Sequence, residues 1–285
     1  MFLFVSLKFT DSSLGRLDYA SLSQQALMEM VIEGIANKEK ICGDPTEPED
    51  IDIWEGVRTE KGKVVGVTWD ECDLEGSVHL DWLPSSVREF TAFRNRLTGT
   101  LDLASLPVAM IHLDLDGNAF TGPIDLERLP EKMKLLGVSS NQLSGPLKLG
   151  GLPQMLTHVY TSGNKFSGSV DLIRLPPALI YLDVSANQLS GPIVLTQLPS
   201  NINYLYLTSN QFSGSLDLTR LPPCMSGLRV DRNSFSGTVD LSQLPRRLYE
   251  CNLSETKLSG EVFISDELFE AVKVWNTTLI KRCMK

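Results

Sequence analysis

Asn95, Asn118, Asn141, Asn164, Asn187, Asn210 and Asn233 recur at an unbroken interval of 23 residues, and most of the surrounding sequence recurs with them. A fixed period of this length marks a solenoid of stacked units, each too small to bury its apolar side alone. The repeat fills residues 63 to 262 continuously, which favours one elongated domain over two packed ones. Glycine stands four residues past each ladder position, at 76, 99, 122, 145, 168, 191, 214, 237 and 260, and so marks a backbone conformation or close approach that a side chain forbids. Leu-Pro pairs ending in Pro84, Pro107, Pro130, Pro153, Pro176, Pro199, Pro222 and Pro245 fix φ and remove a donor where a long helix would otherwise begin.

The nine residues ending at each Asn fit L-x-x-L-x-L-x-x-N, as in Met110, Leu113, Leu115, Asn118 and in Ile202, Leu205, Leu207, Asn210. The last two apolar positions alternate with the period of two of a short strand. A buried Asn amide must be paired, so a strict column of them implies a hydrogen-bonded ladder along the stack, closed by Cys72 and Thr256 in the same column at its flanks. After each Gly an apolar-x-Leu segment, such as Ile124-Asp125-Leu126 or Val239-Asp240-Leu241, alternates again and suggests a second brief strand.

This frame resembles the leucine-rich repeat family. The resemblance implies a right-handed repeat solenoid of mostly β and 3₁₀ or extended coils, with a parallel β-sheet on its concave face, short second strands and a helical N-terminal cap. The L-x-G-x-φ stretch is similar to the plant-type class. The unit here has 23 residues instead of 24 and carries its Pro after the next Leu, so a flatter arc than the plant superhelix is expected.

Residues 1–62 are expected to form the N-terminal cap, with an amphipathic helix over about 19–37 and an acidic, proline-bearing loop over 43–52. Helix, loop, Trp54-x-Gly-Val57 and Gly62-x-Val-x-x-Val67 look like the cap of plant-type repeat proteins. The cysteine pair that usually flanks that Trp is absent, with Ile53 and Thr59 in its neighbourhood. About nine repeats would fill 63–262 and a C-terminal cap 263–285, each cap covering an apolar end and an unpaired strand edge.

A net charge of −9 without a basic stripe excludes a nucleic-acid groove, and no apolar run reaches a membrane span. No esterase elbow, P-loop, zinc-protease or C-x-x-C motif occurs, so neither enzymatic catalysis, a metal nor a cofactor is expected. His112, Asp114 and Asp116 share a strand, but the flanking coils supply too few ligands, and a solvated polar face is expected instead.

Residues six, four and two places before each Asn should form three columns on the concave sheet. They bring together His158, Tyr160, Tyr181, Asp183, Tyr204, Tyr206, Arg229 and Asp231 as the expected partner-binding residues. The function that follows is a non-catalytic module binding a protein partner, monomeric; the alternative is a secreted or surface receptor or antigen for peptide or glycan. Five scattered cysteines and the short apolar start Met1–Phe9, with Lys8 in it, favour the cytoplasm. The sequons at Asn252 and Asn276 keep the secreted alternative open.

Overall fold

The three-residue strands ahead of the ladder Asn turn their middle side chain inward, and in His158–Tyr160, Tyr181–Asp183 and Tyr204–Tyr206 both neighbours are half-buried on the outside. The computed structural model describes residues 22–284; the segment Met1–Phe9 and the expected helix start at 19–21 lie outside them. The strands stack into an eleven-stranded sheet. It opens with an antiparallel hairpin of Val57–Glu60 on Lys63–Thr68 and continues in parallel to Val272–Lys273. Residues one period apart face each other, so His158 pairs with Tyr181 and Tyr181 with Tyr204. The protein is thus a leucine-rich-repeat solenoid in its architecture.

A second sheet of ten strands runs from Glu75–Ser77 to Thr278–Cys283. Its strands, such as Ala119–Gly122 and Lys165–Gly168, end on the recurring Gly instead of following it. The segments expected to be strands do alternate in burial, with Ile124 and Leu126 inside. Their Asp breaks the ladder: Asp125 Oδ1 accepts from Glu127 N at 3.0 Å and starts a 3₁₀ turn over Leu126–Arg128. Asp102, Asp171, Asp217 and Asp240 accept in the same way two residues on. At Gly168 φ is +84° and a Cβ would meet nothing within 4 Å, so the backbone conformation alone demands glycine.

Between the sheets lie Phe90, Phe120, Phe166, Phe212 and Phe235, all fully buried. Each contributes about 1.5–3 kcal/mol by leaving water. The Asn ladder ties the coils together around them. Asn164 donates from Nδ2 to Val138 O of the previous coil at 2.8 Å and to Thr161 O of its own at 3.2 Å, and its Oδ1 accepts from Leu143 N at 2.9 Å. At the flanks Thr256 Oγ1 donates only to its own coil, to Leu253 O at 2.8 Å, and Cys72 Sγ only to Asp70 O at 3.3 Å.

The amphipathic helix spans Gln24–Ile32, capped by Ser23 Oγ accepting from Ala26 N at 3.1 Å, and stops well before residue 37. Its end is claimed by the second sheet: Ala36 N donates to Glu75 O and Ser77 N to Gly34 O, both at 2.8 Å. Backbone that would have continued the helix instead covers the edge of the first strand of that sheet. Met28, Val31, Ile32 and Ile35 bury on the core alongside Trp54 and Trp69, whose indole N–H groups donate to Glu49 O and Glu55 O.

Removing one rung should cost far more than removing an exposed side chain beside it. Asn164→Ala orphans buried backbone groups in two coils and is expected to lower stability by about 1–3 kcal/mol. Lys165→Ala should stay within about 0.5 kcal/mol of wild type. Urea unfolding of the two variants checks both values, and equal midpoints would contradict the ladder's role.

Candidate functional site

Strand pairing brings the expected residues into contact across four adjacent coils. Tyr160 and Tyr181 have ring centroids 4.9 Å apart, Tyr181 and Tyr206 5.4 Å, Tyr181 and Tyr204 5.5 Å, and His158 stacks on Tyr181 at 6.3 Å and 17°. The cause is register: the first column runs His158, Tyr181, Tyr204 and the second Tyr160, Asp183, Tyr206, Arg229. Tyr249 joins them, with its centroid 6.3 Å from that of Tyr204. It stands just ahead of the strand Glu250–Asn252, outside the three columns, so the column frame missed it. Being 60% exposed on an otherwise aromatic patch, it was detectable only by asking which side chains flank the strands. Five of the six tyrosines, all but Tyr19, therefore make one continuous aromatic surface.

One end of this patch is an ion network. The Arg229 guanidinium lies 4.6 Å over the Tyr206 ring and donates to Glu250 Oε2 at 2.8 Å, while Lys273 Nζ reaches Glu250 Oε1 at 3.2 Å. Burial works against the Glu250 charge, yet the hydrogen bonds from Arg229 and Lys273 hold its carboxyl below the ordinary value. Asp231 is only 7% exposed and accepts from Thr208 Oγ1 at 2.9 Å, so it braces the neighbouring strands from beneath the surface.

The other end is acidic. Asp114 Oδ1 accepts from Asp116 N at 3.0 Å, Asp116 Oδ1 accepts from Ser139 N, and Asp183 Oδ1 accepts from Ser185 N at 2.9 Å. Burial and the neighbouring Asp114 push the Asp116 carboxyl up to about 6. Burial likewise raises the Tyr160 phenol, helped by Asp116, Asp114 and Asp183, and the Tyr181 phenol, helped by Asp183, and it lowers the His158 imidazole. Among the described residues no group of three His, Cys, Asp or Glu is placed to hold a metal, and none of the five cysteines is paired. The sequon residue Asn252 lies on this same sheet beside Arg229, and Asn276 sits exposed in a left-handed turn. A depression of 440 Å³ beside Leu241, Arg246 and Asp266 contains no residue of the aromatic patch. Chemically, the patch offers ring faces, two charge signs and hydroxyls on an open sheet; His158 Nδ1 lies 2.9 Å from Thr157 Oγ1, whose hydroxyl donates to Lys134 O at 2.8 Å.

No protein-family model matches the sequence, and no curated protein matches it. Solved structures share the fold. A plant ice-binding protein is 17% identical with a TM-score of 0.63, covering 92% of this chain and 97% of its own. The Arabidopsis thaliana receptor kinase GASSHO1/SCHENGEN3 ectodomain, solved with CASPARIAN STRIP INTEGRITY FACTOR 2, is 18% identical at 0.63, over 90% of this chain and 36% of its own. The Arabidopsis receptor kinase HAESA ectodomain, solved with an IDA peptide hormone, is 22% identical at 0.60, over 91% and 49%. The chain thus spans about a third to a half of those two receptor chains.

The Asp116 shift has a definite sign. Its folded value, about 6, lies above the ordinary 3.8, so the native state keeps the proton longer and loses stability as pH rises through that window. Asp116→Asn keeps an acceptor for Ser139 N and removes the charge. Its stability relative to wild type should therefore grow between pH ~4 and ~6 and level off above. Denaturant titrations at several pH values read this difference, and a constant offset across the window would contradict the burial of that carboxylate.

Proposed function

Because the chain is a leucine-rich-repeat solenoid, we propose that it is a non-catalytic recognition module whose eleven-stranded sheet binds a protein partner, with the tyrosine patch as the anchor. The observation that carries this reading is the aromatic continuity from Tyr160 to Tyr249 on the outer face of a rigid sheet. Tyr and Arg dominate the residues that hold protein interfaces together, because they combine large apolar area with a polar tip and little rotational entropy. Here both types are pre-ordered by stacking and by the Arg229–Glu250 pair, which reduces the entropy lost on binding. An open sheet buries little of a small molecule, whereas an extended chain can lie across several strands at once. The HAESA ectodomain, of the same fold, was solved with a peptide hormone bound, and that parallel favours a peptide segment as the bound element. Net charge of −9 disfavours nucleic acid as the partner.

Affinity purification with quantitative mass spectrometry should separate this face from the rest of the molecule. A Tyr160→Ala/Tyr204→Ala/Tyr206→Ala variant is expected to lose, by about tenfold or more, a protein that wild type retains. Gln142→Ala/Gln188→Ala/Gln211→Ala, whose side chains are exposed on the second sheet, should retain it. Thermal melts of both baits establish that they fold. If the folded tyrosine variant recovers the same proteins as wild type, the sheet face is not the binding surface.

A further inference from the structure

The second column of the sheet reads Asp114, Gly137, Tyr160, Asp183, Tyr206, Arg229 on successive strands. Its far end is a completed cation site. The Arg229 guanidinium stacks on Tyr206 and is neutralised by Glu250, so ring face, guanidinium and carboxylate stand on neighbouring strands. Its near end has the same parts without the cation. Tyr160 supplies the ring, Asp114 and Asp116 supply the carboxylates, and the position between them is Gly137.

Two geometric facts define this end of the column. A Cβ placed at Gly137 would lie 2.8 Å from Asp114 Oδ1 and 3.1 Å from Asp116 Oδ1, so the two carboxylates meet directly above this buried glycine and fill the space a side chain would take. Tyr160 is the direct strand partner of Gly137 on the other side, and Asp183 is the partner of Tyr160 beyond it. At about 4.8 Å per strand, Asp114 and Asp183 stand roughly 14 Å apart with the ring between them.

Charge balance bears on the same place. Glu89 is paired with Arg58 at 2.9 Å, Glu71 with Arg94 at 2.9 Å, and Glu250 with both Arg229 and Lys273. No ion pair among the described residues involves Asp114, Asp116 or Asp183. Burial raises the Asp116 carboxyl, and the neighbouring Asp114 charge, with no counter-ion between them, raises it further. A divalent metal would want six or more oxygen ligands and gains nothing from a ring face. A guanidinium gains from both, through bidentate hydrogen bonds to carboxylate and stacking on an aromatic face.

Resting on the reading of this sheet as a protein-binding face, we propose that its partner presents a basic peptide segment, with an arginine side chain seated on the Asp114 and Asp116 carboxylates beside Tyr160 and neutralised by them. The occupant repeats in trans what Arg229 does for Tyr206 in cis. The net charge of −9 speeds the encounter with such a segment and rejects acidic ones.

A random peptide display library selected on the immobilised full chain tests this with a defined probe. Peptides that bind wild type and fail on the tyrosine triple variant should carry arginine at one aligned position. Replacing that arginine by citrulline, its neutral isostere, should weaken binding to wild type about tenfold or more. The same replacement should cost little on Asp114→Asn/Asp116→Asn, whose fold is verified by melting. Tyrosine-dependent peptides without a basic preference, or an equal citrulline penalty on both proteins, overturn the arginine site while leaving the binding face intact. A selection yielding no tyrosine-dependent peptide overturns both.

Discussion

One amide per coil holds this molecule together. Each ladder Asn uses its NH₂ to donate to carbonyls of two successive coils and its oxygen to accept from a backbone amide of the preceding coil, as Asn95 does with Trp69 O, Ala92 O and Leu74 N. The chain leaves the first sheet through a left-handed residue just before the Asn, at Arg94, Ser140, Ala186, Ser209 and Arg232 as well as at Gly117 and Gly163. Non-glycine residues in that region cost about 1 kcal/mol each, and the convergent hydrogen bonds of the Asn offset this. Without the rung, the turn between the two sheets would lose both its geometry and its buried polar partners.

That single constraint explains why side chains far apart in sequence become neighbours. Identical turns at identical intervals leave no freedom of register, so residues 23 apart stand opposite one another. An aromatic surface assembled from separate coils is therefore rigid without any disulfide, and its chemistry is edited one coil at a time. Tyr206 and Arg229 complete each other, whereas beside Tyr160 the carboxylates of Asp114 and Asp116 close over Gly137 with no cation. Two variants of one motif, one with its cation and one without, thus stand on the same sheet.

Most of the first sheet was legible because period and column suffice to place it: the aromatic and charged contacts of Tyr160, Tyr181, Tyr206 and Arg229 follow from counting in 23s. The second sheet was displaced because buried–exposed alternation is shared by strands and by extended turn-forming segments. Only hydrogen-bond partners distinguish them, and Asp125 and its counterparts hand those partners to a local 3₁₀ turn. The N-terminal helix was read too long for a tertiary reason, since an apolar helical pattern continues through Ile35 while the backbone at Gly34 and Ala36 is diverted to a sheet edge. Tyr249 and the inward seat of Asp231 depend on side-chain packing at a coil boundary, which no period encodes.

Native-state hydrogen exchange on the intact chain addresses the central claim most directly. The amides of Leu74, Leu97, Phe120, Leu143, Phe166, Leu189 and Phe212 each donate to an Asn side chain one coil away and to no sheet partner in common. A continuous ladder predicts that all seven exchange slowly, with similar protection along the stack. Rapid exchange at these amides while the strands of the first sheet stay protected would show that the rungs do not hold the coils, and the account built on them would fall.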